Sequence, residues 1–203
     1  GNVHSYKADI CKNDSIRPVL DNLVKEHGDV NYCVFLQRYR GEGDNWIGEF
    51  ETTLTATKNI VEHLVPYFSE TKDNGLVVVS SVFSQYIGEG QPISYHVAKA
   101  GLDQLMRYYA LNLGEKKIRA NGISTFTFLK DESKEFYFNN KPLIELYEEI
   151  VPLKRMGTTT DSANVIHFLC SSQASFVTGQ SILIDGGLSL QWPESMARGL
   201  KQL

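Results

Sequence analysis

The apolar positions of this chain fall into two alternating patterns. Short β-branched runs recur at residues 30–36, 76–79, 118–124 and 179–184, and between them lie segments with an apolar residue every three or four positions. The runs read as strands buried on both faces, and the spaced segments read as amphipathic helices. Asn13, Asp14 and Ser15 offer capping side chains for a helix whose apolar positions are Ile16, Val19, Leu20, Leu23 and Val24, stopped by Gly28. A long helix is expected over residues 46–70, with a stripe at Ile47, Phe50, Leu54, Thr57, Val61, Leu64 and Phe68. Another should run from Pro92 to about Leu113, burying Val97, Leu102, Leu105, Met106 and Tyr109. Thr160 and Asp161 cap a helix that continues through Leu169.

Three stretches break this rhythm. Residues 3–10 alternate only loosely and read as a further strand. Residues 37–45 are polar and Gly-containing, so they read as a loop. Residues 126–152 are aromatic, acidic and irregular, with one helix expected around 143–150; so long an insertion reads as a lid over a binding site. Strands otherwise alternate with helices throughout. That order predicts an α/β chain folded as one domain over residues 1–203, a doubly wound, mostly parallel sheet with helices on both faces. Ligands of such sheets bind at the carboxyl ends of the strands.

Composition narrows the function. Of 203 residues, 42% are apolar and 22% charged, as in ordinary soluble globular proteins, and length alone does not demand a second domain. A net charge of -4 without any basic run argues against nucleic acid as a partner. No apolar stretch reaches membrane-spanning length, and no secretory signal opens the chain. Cys11, Cys33 and Cys170 are scattered without metal-ligand spacing, which points to buried reduced thiols, a cytoplasmic protein and no metal site.

The candidate chemistry sits in residues 75–99. Ser80 and Ser81 stand where the run 76–79 ends, and Tyr95 and Lys99 stand four apart on the helix that follows. Lys99, if ionised, would favour the phenolate of Tyr95, and Ser81 would donate a hydrogen bond to a substrate oxygen. Taken alone, a Tyr-x-x-x-Lys pair is more often a half-exposed tyrosine beside a solvated lysine.

The wider context resembles the short-chain dehydrogenase/reductase family. Val-Val-Val-Ser-Ser at 77–81, Tyr95-x-x-x-Lys99 and the run 118–124 match three of its blocks in order. Pro152 to Gly157, Ala174 to Gln180 and Ile184 to Gly187 resemble its C-terminal blocks, so the likeness covers essentially the whole chain. The resemblance implies a Rossmann-like fold, N-terminally incomplete, and an oxidoreductase that moves hydride between NAD or NADP and the carbonyl or alcohol of a small-molecule substrate. It implies Tyr95 as the acid/base, Lys99 as the group that tunes it and holds the cofactor ribose, and Ser81 as the carbonyl-orienting donor. Asp9 resembles the strand-end acid that contacts adenine, Thr125 falls at a cofactor-contacting strand end, and a homodimer or homotetramer built on the two long helices is implied as well.

The chain departs from the family pattern in places. It opens at what resembles the third strand, without the Gly-rich phosphate turn, so the 203-residue form is expected to lack dehydrogenase activity. Arg38 stands where a glycine usually lies against the cofactor, and Thr53 stands for the asparagine of the water relay. One extra residue separates Ser81 from Tyr95, which leaves Ser80 or Ser84 as substitutes. These departures keep a second reading open, a non-catalytic binding or assembly module on the same fold. For residues 3–10 the expectation is a strand set apart from 30–36 by a gap; pairing with 30–36, or exchange with another subunit, are the other arrangements open to it.

Overall fold

The computed structural model describes residues 2–42 and 44–201. Helix α1 (Asn13–His27) leads into strand β1 (Tyr32–Phe35). A long helical segment follows, made of α2 (Trp46–Phe50), a π-helical stretch Glu51–Thr55 and α3 (Ala56–Leu64). Then come β2 (Asn74–Ser81), α4 (Ile93–Asn112) and β3 (Ile118–Thr125). The insertion holds β4 (Phe128–Leu129), α5 (Lys134–Phe138) and α6 (Lys141–Ile150), and the chain closes with β5 (Gly157–Thr158), α7 (Thr159–Leu169), β6 (Ser181–Ile184) and α8 (Pro193–Leu200).

Four strands form one parallel sheet in the order β1-β2-β3-β6, as the alternation of strands and helices predicts, and β4 pairs with β5 apart from it. Strand side chains alternate between faces. Leu76 and Val78 therefore join one core cluster with Ile16, Leu20, Ile60, Leu102 and Met106, contributed by α1, α3 and α4. Val77 points the other way and packs with Ile123 and Leu169, the latter from α7. Helices cover both faces, which is why the strands need no polar alternation.

Local chemistry explains the boundaries. Gly28 ends α1 at φ 81 and ψ -156, a region essentially closed to residues with a Cβ. At the start of α7 the Thr158 hydroxyl accepts from the Asp161 amide while the Asp161 carboxylate accepts from the Thr158 amide, a capping box set by Thr158 rather than Thr160. At the amino-terminal edge of the sheet, Asp73 accepts from Arg119 at 2.9 Å and from the Tyr32 hydroxyl at 2.6 Å. Arg119 also donates to the carbonyls of Leu169 and Ser171, so one guanidinium ties β3 to the end of α7.

Several expectations are corrected. Residues 3–10 form no strand: Tyr6 donates to Glu26 at the end of α1, Ala8 and Ile10 pack on the core, and Val3 is 94% exposed. A lone extended segment gains more from solvating its backbone beside α1 than from a ladder with no neighbour. Asp9 is accordingly a turn residue and not a strand end. The helix expected at 46–70 is interrupted by the π-helical stretch and closes by Tyr67, after which Phe68 is extended. Ile47 and Val97, placed in buried stripes, are 67% and 40% exposed. The insertion contains two helices where one was expected, and α8 lies in a stretch given no element from the sequence. Cys11 is exposed, whereas burial pushes the thiol pKa of Cys33 up to about 12. Among the described residues no helix is long and apolar enough to cross a membrane.

Candidate active site

The site forms where the sheet delivers its carboxyl ends. In the register of β2 and β3, Ser80 pairs with Ser124 and Ser81 with Thr125, so both strands end level. Pro92 then starts α4, and the first turns of that helix carry Tyr95 and Lys99 back over the strand ends. The connection between them is held by His96, whose Nε2 accepts from the Gly88 amide at 3.0 Å while Nδ1 lies 2.9 Å from the Pro92 carbonyl.

These elements enclose a cavity of about 360 Å³ lined by Ser80, Ser81, Tyr95, Lys99 and Thr125. Gln37 and Arg38 close it on the β1 side, and Phe126, Phe128, Lys130 and Tyr137 of the insertion close it above. Residues of the 126–152 insertion thus contribute a wall of the pocket. Of the residues singled out from the sequence, Ser81, Tyr95, Lys99 and Thr125 come together here. Asp9 does not line the cavity; its carboxylate accepts from the Cys11 amide at 3.1 Å and pairs with Lys12 at 3.2 Å.

The three serine alternatives are resolved by their partners. Ser84 donates to Asp103 at 2.6 Å, and Ser80 donates to the Lys99 carbonyl at 3.3 Å. Ser81 instead accepts from the Phe83 amide at 3.2 Å, which leaves its own proton to give. Of the three, only Ser81 has no acceptor for its hydroxyl proton among the described residues.

Lys99 is only 3% exposed, and its ammonium donates to the Val79 carbonyl at 2.9 Å, fastening α4 to β2. Burial lowers its pKa to about 8, opposed by the charge of Glu49 and reinforced by that of Arg38. The Lys99 ammonium lies 5.7 Å from the centroid of the Tyr95 ring, and the Arg38 guanidinium lies 5.1 Å from the same centroid. Two cations therefore lie within cation–π reach of the Tyr95 ring.

The structure adds residues that sequence reasoning missed. Glu49, 4% exposed, accepts from Thr53 at 2.8 Å, and its charge acts on Lys99. The i, i+4 spacing of Glu49 and Thr53 was the available signal. Gln37 donates to Thr57 at 2.7 Å, linking the pocket wall to the same helical segment. Arg40 and Lys130 also line the cavity, and nothing in the spacing of residues 126–152 marked Lys130.

Known proteins match both the chain and the fold. Residues 1–189 match the family model described as Enoyl-(Acyl carrier protein) reductase. A 3-oxoacyl-[acyl-carrier-protein] reductase FabG of Thermotoga maritima is 30% identical over 197 residues, covering 93% of this chain and 78% of that protein. Among solved structures, a short-chain type dehydrogenase/reductase from Mycobacterium ulcerans is 26% identical with a TM-score of 0.79, over 91% of this chain and 69% of the other. A gluconate 5-dehydrogenase from Burkholderia cenocepacia J2315, solved with NADP and tartrate, shares the fold at a TM-score of 0.76 and 19% identity, over 91% and 74% of the two chains. The ordered strand-end and Tyr-x-x-x-Lys blocks, which meet at one cavity, the C-terminal blocks that follow them in order, and a family match across nearly all of the sequence place this chain in the short-chain dehydrogenase/reductase family, as an NAD(P)-dependent oxidoreductase.

Proposed function

We propose that the protein interconverts a carbonyl and an alcohol in the cavity beneath residues 126–152, with Tyr95 as the group that gives or takes the proton. The observation that carries this reading is the convergence of Ser81, Tyr95, Lys99 and Thr125 on one cavity, with Lys99 buried behind Tyr95. The nicotinamide-ribose end of NAD(P) fits these residues, since Tyr95 and Lys99 lie on one helix face and Thr125 lines the same space. When bound, the nicotinamide supplies or accepts the hydride at the reacting carbon.

The chain's own groups do the rest. The free Ser81 proton donates to the substrate oxygen and orients it, and the Tyr95 hydroxyl delivers the proton as that oxygen gains charge. Lys99, charged below about pH 8, keeps positive potential beside Tyr95 and offers remaining donor positions to ribose hydroxyls. The buried Glu49 carboxylate supports that charge where the family's asparagine is replaced by Thr53. An adenine contact from Asp9 would require its carboxylate to leave Cys11 and Lys12.

Two further features belong to this reading. Ile93, Val97, Tyr108 and Leu111 are exposed and share one face of α4, which supports a two-fold assembly through the long helices. Three free thiols support a cytoplasmic setting. The test, in the full-length protein, is Tyr95→Phe, which should cut turnover about 10²- to 10⁴-fold with cofactor affinity nearly unchanged. Equal turnover in the two proteins would remove Tyr95 from the mechanism.

A further inference from the structure

The mouth of the cavity carries more positive charge than the proposed chemistry uses. Arg38, Arg40 and Lys130 line it, against the single carboxylate of Glu132. Glu132 is taken by Arg40, at 3.2 Å. Arg38 has a neutral partner, the Gln91 side-chain oxygen at 3.4 Å. Lys130 lies 5.4 Å from the Phe128 ring centroid and makes no ion pair among the described residues. Burial lowers the pKa of Lys130; the charge of Glu132 opposes that shift, and the charges of Arg38 and Arg40 reinforce it.

Arg38 and Lys130 thus line one cavity with Tyr95, each without a carboxylate in ion-pair contact among the described residues. Arg38 leaves the loop after β1 and Lys130 leaves the insertion, and both side chains are long enough to meet a ligand in the cavity. The aromatic walls supplied by Phe83, Phe128 and Tyr137 suit a planar or apolar body between the charged end and Tyr95.

We propose that the pocket selects a substrate bearing a carboxylate or phosphate, held between Arg38 and Lys130 at the lid, with its carbonyl or alcohol carbon beside Tyr95. This assignment names the substrate class within the oxidoreductase reading and rests on that reading for the role of Tyr95. The negative group is placed by charge-assisted hydrogen bonds, and the lid closes on it through Lys130. Neutral analogues lose both charge-assisted contacts, so discrimination is larger than one hydrogen bond would give.

The phosphates of the cofactor carry the same chemistry as an anionic substrate, and the experiment separates the two sources. Benzoate and its neutral counterpart benzyl alcohol are titrated calorimetrically into the protein, and NADPH is titrated separately by fluorescence. Benzoate should bind and benzyl alcohol should bind at least about 10-fold more weakly; Lys130→Met should weaken benzoate by about 10- to 100-fold. Lys130→Arg should restore it, and NADPH affinity should be the same in wild type and Lys130→Met. Equal affinity for benzoate and benzyl alcohol, or no benzoate binding, overturns the proposal. So does a Lys130→Met protein that loses NADPH affinity and keeps benzoate affinity, because the cations would then belong to the cofactor. No turnover is needed in these titrations. A protein that selects benzoate but is indifferent to Tyr95→Phe therefore supports the anion site while overturning the role of Tyr95.

Discussion

Replacing Lys99 by methionine tests the electrostatics of the site without any ligand. Lys99 is 3% exposed, and burial brings its pKa from 10.5 to about 8. The unfolded chain, with the ordinary lysine value, therefore holds this proton more tightly than the folded protein between about pH 8 and 10.5. Stability contributed through Lys99 accordingly rises with pH across that window and is flat below it. At ~1.4 kcal/mol for each unit, the full change is ~3 kcal/mol. The Lys99→Met protein has no such titration. It also leaves the Val79 carbonyl without its donor, but that loss is independent of pH. Urea unfolding of both proteins from about pH 7 to about pH 11 isolates the effect, because tyrosines such as Tyr109 titrate in both and cancel in the difference. The wild type should gain on the variant by ~3 kcal/mol as pH rises. A difference that stays constant would mean that Lys99 is solvated, and its proposed role beside Tyr95 would fall with it.

Other outcomes follow from the packing. Arg119→Met strands the Asp73 carboxylate and the carbonyls of Leu169 and Ser171, so urea unfolding should show a loss of ~3 kcal/mol; a change below ~1 kcal/mol would mean the network is solvent-screened. Gly28→Ala meets open space but a backbone at φ 81 and ψ -156, and should cost ~1–3 kcal/mol from strain alone, read as a lower thermal midpoint. Light scattering at micromolar concentration should give at least twice the chain mass, and Leu111→Glu, at a residue 82% exposed, should return the monomer; a monomeric wild type would remove the helix-face assembly.

The sequence alone determined the layered architecture, because burial on both faces demands continuous apolar runs and helices at 3.6-residue spacing to cover them. It also determined the pairing of Tyr95 with Lys99, since four residues on a helix is a local distance. Pro92, Gly28 and the run 76–79 act within a few residues of themselves, and they held their places. Tertiary structure decided what depends on neighbours distant in the chain. Residues 3–10 carry an alternation that a partner strand would complete; beside α1 they hydrogen-bond to Glu26 and solvent instead. Ser80, Ser81 and Ser84 are equivalent in composition and become distinct only when Lys99 and Asp103 claim two of them. Arg38 stands out in the sequence as a departure from the family pattern, but Lys130 does not, and only the sheet ends and the insertion bring the two to one cavity. Local pattern carries propensity and spacing, while partner choice and electrostatic sign at a site are sums over residues that only folding places together.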